Sequence, residues 1–204
     1  MSRYTGSIYS RSRRFKFSLL ENNKEFSKGK KRVSAPGQHG AKKIAKSSNY
    51  GQQLLEKQKM KFLYDVNDSQ LRRLFRVAKR MEGMLSMNLF RVLESRLDNL
   101  VFRMGFAPTR RSARQLVNHG HVMVNGKVVD IVSTIISVGS VISLRDRIKK
   151  ISLVADSVEK SAKIPFVDVN TKTFSGVYVR FPERDELPRE VNESYVVEWY
   201  KRLV

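Results

Sequence analysis

The first 46 residues carry 13 Lys and Arg against two Glu, with little apolar periodicity. Such a stretch cannot bury enough apolar surface to offset the entropy lost on ordering it. Any packed core must come from the residues that follow, and 1–46 reads as a basic N-terminal arm. Its densest run is KGKKR at 28–32, and Pro36, Gly37 and Gly40 supply turn chemistry. Alone the arm is expected to be poorly ordered, and to fold against phosphates. MSRYTGSIYSRSRR at its start has the Arg- and Ser-rich, acid-free look of a transit peptide. The basic composition continues well past it, which favours a mature RNA-binding extension.

The whole chain of 204 residues holds 40 Lys and Arg against 19 Asp and Glu, a net +21. An excess of that size repels itself in a compact state, and a polyanion relieves the repulsion while releasing counterions. The charge points to nucleic acid, with a polybasic membrane surface as the main rival. It is unevenly spread: the net is +11 over 1–50, +4 over 51–100, +7 over 101–150 and −1 over 151–204. An RNA-facing surface is expected in the arm and the third quarter, and core or protein contact in the last. No cysteine is present, so disulfides and thiolate metal sites are excluded. No apolar run approaches the roughly 20 residues that span a bilayer.

Beyond the arm, Tyr50, Leu54, Leu55, Gln58 and Phe62 follow helical spacing. Asp68 or Ser69 can cap a second helix whose apolar stripe is Leu71, Leu74, Phe75 and Ala78. Arg72, Arg73, Arg76, Lys79 and Arg80 mostly fall on its other faces, solvated or touching phosphate. Leu89, Val92, Leu93, Leu97, Leu100, Val101 and Met104 predict one strong helix ending at Gly105. Thr109 can cap a helix over RRSARQLVNH that stops at Gly120. In HVMVNGKVVD, Asn125-Gly126 between short apolar runs is a strong hairpin signal. Further strands are expected at 140–145, 165–169 and 174–181, with a Pro- and acid-rich turn at 182–190. The tail NESYVVEWYKRLV fits helix or strand. No internal repeat is evident.

The chemistry concentrates between Leu97 and Leu144. Arg110 and Arg111 open the helix after Thr109, and Arg114 lies one turn on. Free N–H groups and the helix dipole attract anions there, and arginine adds bidentate phosphate donors. Ala113, Leu116 and Val117 face the core. Lys127 sits near the hairpin tip, with His119 and His121 at its entrance. Such a surface suits RNA shape and backbone better than base sequence.

RLDNLVFRMGFAPTRRSARQLVNHGHVMVNGKVV at 96–129, with the strand near 140–145, resembles the S4 RNA-binding module. That module also occurs in RNA-modifying enzymes and tRNA synthetases, so alone it identifies a part. MSRYTGS, APGQHGAKK at 35–43, YGQQLLEKQKMKFLYDV at 50–66, NLFRVLESRLDNLVFRMGF at 88–106, PERDELP and NESYVVEWY resemble, in order, segments of the ribosomal S4 family. Some members of that family carry a zinc site on cysteines in the arm. This chain has none, so residues 21–34 are expected to order on RNA instead.

The resemblance implies an α+β protein: an extended basic arm, a mostly helical domain, and a small αβ domain of two helices on a short antiparallel sheet. The boundaries expected are 1–46 for the arm, 47–90 for the helical domain completed by 166–204, and 91–165 for the RNA-binding domain. It implies a structural protein, not an enzyme, that binds 16S rRNA first and nucleates assembly of the subunit body. It would hold a multi-helix junction in the 5′ domain and, with ribosomal proteins S5 and S12, influence translational accuracy. It would touch S5 and neighbouring small-subunit proteins, near the path by which mRNA enters. No cofactor, metal, membrane or small-molecule substrate is implied, and the location is a cytoplasmic, bacterial-type small subunit. The RNA-contacting residues expected are Arg3, Arg13, Arg14, Lys30, Lys31, Arg32, Gly37, Gln38, His39, Gly40, Lys42, Lys43, Lys57, Lys59, Arg72, Arg110, Arg111, Arg114, Gln115, His119, His121, Asn125 and Lys127.

Enzyme readings fail on context. Arg96-Leu97-Asp98 echoes a pseudouridine synthase motif but lacks its usual neighbours and a catalytic domain to hold it. It reads as a helix-surface Asp paired with an Arg. GQHGAKK does not match a nucleotide-binding G-x-x-x-x-G-K-[ST] loop. His39, His119 and His121 lack the spacing and carboxylates of a zinc site. Trp199 and its neighbouring tyrosines read as core or partner contact rather than base-stacking groups.

Overall fold

The computed structural model describes residues 4–23, 26, 33–40, 48–149, 151–160 and 164–203. The chain divides between Ser86 and Met87 and again between Leu187 and Pro188, so the first unit is discontinuous and the second is one stretch.

In the first unit, α1 (Ile8–Phe15) forms inside the arm. Ile8, Ser12 and Phe15 make a short buried face, and Leu19 is buried just beyond it. The Leu19 N–H donates to Ser12 Oγ, satisfying the one hydroxyl on that face. The arm thus holds a helix with a buried face within 4–23, an element that its apolar periodicity does not predict. The apolar period was hidden because its middle position is a serine. Phe62 receives Tyr4 edge-on at 5.1 Å and Phe15 at 5.9 Å, and Arg11 lies 5.2 Å from the Tyr4 ring and 5.1 Å from Phe62. Phe15→Ala should cost about 3 kcal/mol, the range for deleting a buried aromatic. An unchanged urea midpoint would show that α1 is not packed.

Ser48 caps α2 (Asn49–Leu63), accepting from the Gly51 N–H. The buried face is Glu56, Lys57, Met60 and Leu63, while Tyr50 and Leu55 are exposed. This corrects the face read from periodicity. Two charged residues are buried because Lys59, Asp68 and a sequence-distant helix supply their partners. That helix is α9 (Glu193–Lys201), which settles the tail as helical and packs along α2. Glu56 takes Lys59 Nζ at 2.7 Å and the Asn192 N–H at 3.0 Å. Lys57 Nζ donates to Asp68 at 2.7 Å and lies 5.2 Å from the Trp199 ring. α3 (Asp68–Lys79) starts one residue earlier than expected: Asn67 caps it in a reciprocal pair with Gln70. Leu71, Leu74, Phe75 and Ala78 are buried as anticipated, with Phe75 stacked on Tyr200 at 5.0 Å.

The single helix expected to end at Gly105 is two, α4 (Leu85–Glu94), whose first two residues precede the second unit, and α5 (Leu97–Arg103). Arg96 between them is extended, with φ −70 and ψ 141. No proline or glycine causes the break. The loop around 131–136 lies against it instead: Leu97 N–H donates to Thr134 O at 2.9 Å, and Ile136 N–H to Ser95 O at 2.8 Å. These long-range bonds replace the helical ones lost.

α6 (Arg110–Asn118) packs on α5, and Thr109 caps it through the Ser112 N–H. The strands β1 (Val122–Val124), β2 (Lys127–Val128), β3 (Val141–Leu144), β4 (Val167–Asn170) and β5 (Ser175–Tyr178) form one antiparallel sheet in the order β2-β1-β3-β5-β4. Asn125 and Gly126 have φ 48 and 79, the two left-handed residues that a tight two-residue turn requires. Val124 then pairs with Lys127. Between β3 and β4 lie α7 (Asp146–Lys149) and α8 (Ser152–Lys160). β4 and β5 pair into this sheet, so residues 166–187 belong with the second unit, and the return to the helical unit begins at Pro188. That revises the boundary expected at 166. Leu97, Leu100, Val101, Phe106, Val117, Ile142 and Tyr178 anchor the core between helices and sheet.

Candidate nucleic-acid interface

Under α6 lies a buried polar network. Glu94 accepts from Arg103 Nε at 2.9 Å and Nη2 at 2.8 Å, and from Asn99 Nδ2 in a very short contact. Asn99 Oδ1 accepts from Arg110 Nε at 2.8 Å. Asp98 accepts from Arg96 at 3.1 and 2.8 Å and from Arg114 at 2.8 Å. Two carboxylates and one amide thus hold four guanidinium groups. Beside them Tyr178 shares a hydrogen bond with Ser95 at 3.1 Å, and burial pushes its phenol up to about 12.

This network corrects the picture of three arginines side by side on a phosphate edge. Arg110 is buried, its guanidinium 4.4 Å from the Phe102 ring centroid, where a desolvated cation is held strongly. Arg114 is half-buried and paired with Asp98. Asp98 is itself buried, not on the helix surface, and its double pairing with arginine makes it structural.

α6 exposes Gln115 and His119, with Arg111 half-buried one turn earlier, at four-residue spacing on one face. His119 meets His121 edge-on at 5.9 Å, and among the described residues no cluster suits a metal ion. Lys127 is exposed at the hairpin. Asn125 is exposed too, but its Oδ1 accepts from the Val141 N–H at 2.9 Å, so its first task is to fix the turn. Arg145, exposed directly after β3, also lies at this surface. Its N–H donates to His121 O and its side chain to Gly120 O at 3.3 Å, adding a cation beside the histidines. Only strand pairing brings 145 to 121, so no local signal marks it.

In the first unit, Arg14 is exposed and Arg13 half-buried on α1. Gly37, Gln38, His39 and Gly40 form a turn closed by Gly40 N–H to Gly37 O at 3.3 Å. Gly37 has φ 105, and a Cβ on Gly40 would lie 1.7 Å from Ala35 O, so both glycines are required by the backbone. The turn holds Gln38 and His39 outward. Lys57 and Lys59 are occupied internally, on Asp68 and Glu56. Arg72 is exposed. Arg3, Lys30, Lys31, Arg32, Lys42 and Lys43 lie outside the described residues.

Residues 3–94 match the family profile of the ribosomal protein S4/S9 N-terminal domain, and residues 95–142 that of the S4 domain. The chain is 65% identical to small ribosomal subunit protein uS4 of Mycoplasmoides gallisepticum over 206 residues, spanning 100% of each. It is 61% identical to that of Mycoplasma pneumoniae over 203 residues, 99% of each, and 60% identical to that of Ureaplasma urealyticum over 205 residues, 100% of each. No helix among the described residues is long and apolar enough to cross a membrane.

Proposed function

The chain belongs to the uS4 family of small ribosomal subunit proteins, and from that membership we propose that it binds 16S rRNA early and holds it in place. It is a structural protein of the small subunit and not an enzyme. One observation carries the reading: the similarity to uS4 chains runs over the full length, arm and C-terminal helix included.

The finer role follows as proposal. The protein holds a multi-helix junction of the 5′ domain, nucleates assembly of the subunit body, contacts S5 and, with S5 and S12, influences translational accuracy near the path by which mRNA enters. The contacts fall to the arm with its Gly37–Gly40 turn, to Arg13, Arg14 and Arg72, and to the outward face of α6 with Lys127. Arg110 and Arg114 act mainly by shaping that face. The helical unit and the sheet-bearing unit serve as two RNA-binding domains behind the arm. Supporting this are the net +21 and the rigid seat that the buried network gives α6.

A structural component should co-sediment with the small subunit at one copy each through high-salt washing. Loss on washing, or occupancy far below one, would make the protein a transient factor and sink the proposal.

A further inference from the structure

The outward side of α3 carries a row of cations that nothing within the described residues neutralises. At 3.6 residues per turn, Arg72, Arg73, Arg76, Lys79 and Arg80 fall within a sector of about 120° and run about 12 Å along the axis. The buried stripe of Leu71, Leu74, Phe75 and Ala78 occupies the opposite side. All five cations are exposed, and none makes a hydrogen bond or ion pair with another described residue. Asp68, one turn before Arg72, is the carboxylate best placed to quench the row. Both its oxygens are taken, by Lys57 at 2.7 Å and Lys61 at 2.6 Å. Burial tends to raise the Asp68 carboxyl, yet the two lysine hydrogen bonds hold it below the ordinary aspartate value, so it stays charged and committed to them. Glu82 lies beyond the end of the helix.

Like charges at i,i+3 and i,i+4 repel, so Arg72/Arg76, Arg73/Arg76, Arg76/Lys79 and Arg76/Arg80 all oppose the helix that presents them. A polyanion laid along the row removes that opposition. The sector holds no exposed aromatic or amide side chain, so it offers no ring platform on which unpaired bases could stack. Four of its five cations are arginine, the side chain whose fork matches a phosphate. The apolar side of α3 is spent in the core, which leaves none to enter a lipid surface.

From this geometry we infer that α3 is a docking face for the sugar-phosphate backbone of a base-paired rRNA segment, gripped by charge and shape without base readout. The inference rests on the rRNA-binding role proposed above. It shifts the main electrostatic contact in the described structure from α6, whose arginines are partly consumed by Asn99 and Asp98, to α3.

The test uses the full chain and a full-length 16S rRNA transcript, with affinity measured across a salt series. The variant Arg73→Gln/Arg76→Gln/Arg80→Gln is compared with Arg147→Gln/Lys172→Gln/Arg189→Gln, an equal charge loss at exposed sites elsewhere. The α3 variant should flatten the log–log salt slope by about 2–3 and weaken binding roughly 100-fold at 0.1 M salt. The control should change the slope little. The thermal midpoint of the α3 variant should hold or rise, because the row repels itself. Equal slope changes in the two triples would overturn the docking face. So would an unchanged α3 slope; if α3 loss then released only a protein from the subunit, the row would belong to an acidic protein partner. If the unaltered chain fails to bind the transcript, the rRNA-binding role itself falls and takes α3 with it.

Discussion

Glu94→Ala should destabilise the second unit by about 3–5 kcal/mol, because it strands Arg103 without its carboxylate in the interior. The loss should spread, since Asn99 also loses an acceptor and Asn99 orients Arg110. Replacing both charged partners, Glu94→Leu with Arg103→Met, should recover much of it, as apolar groups of similar size often substitute for a buried pair. Urea unfolding of the full chain, followed through β1–β5, measures this. If Glu94→Ala costs under about 1 kcal/mol, or the double variant is no better than the single, Glu94 and Arg103 do not form a buried charge pair.

The second large effect falls on the other unit. Tyr200→Ala should cost about 3–5 kcal/mol, the range for removing a fully packed aromatic. Tyr200 is 2% exposed and stacks on Phe75, and burial holds its phenol above the ordinary tyrosine value. It ties α9 to α3, while Trp199 meets Tyr50 on α2 at 5.0 Å. Hydrogen exchange should show protection lost across α2, α3 and α9 but kept in β1–β5. Uniform loss across both units would contradict the division at 86/87 and 187/188.

These two sites also show how much the sequence could disclose. Thr109, Gly120 and the Asn125-Gly126 turn were legible because each acts on neighbours within a few residues. The α3 stripe was legible for the same reason. The break at Ser95–Arg96 was not, because its cause is a loop some forty residues later that offers Thr134 O and Ile136 N–H. The buried side of α2 is not legible either, because Glu56 and Lys57 count as polar until α9 and Asp68 supply their partners. Arg110 looked like a phosphate ligand because helix-start arginine usually faces water. Only Asn99 and Phe102, placed by α5, turn it inward. Local signals gave the elements, and long-range polar pairing decided which charges remain available to RNA.

The discontinuity of the first unit has a consequence for synthesis on the ribosome. Residues 87–187 are contiguous and can fold once they clear the exit tunnel, whereas the helical unit lacks α9 until residues 188–204 have been made. Domains generally fold in the order in which they are synthesised. Here the later-encoded unit can be finished first, and the earlier one must wait with α2 bare of the helix that covers it. During that interval α3 and its cations sit on an incomplete core, so a nascent chain should acquire the α6 surface before it has a stable α3 to offer.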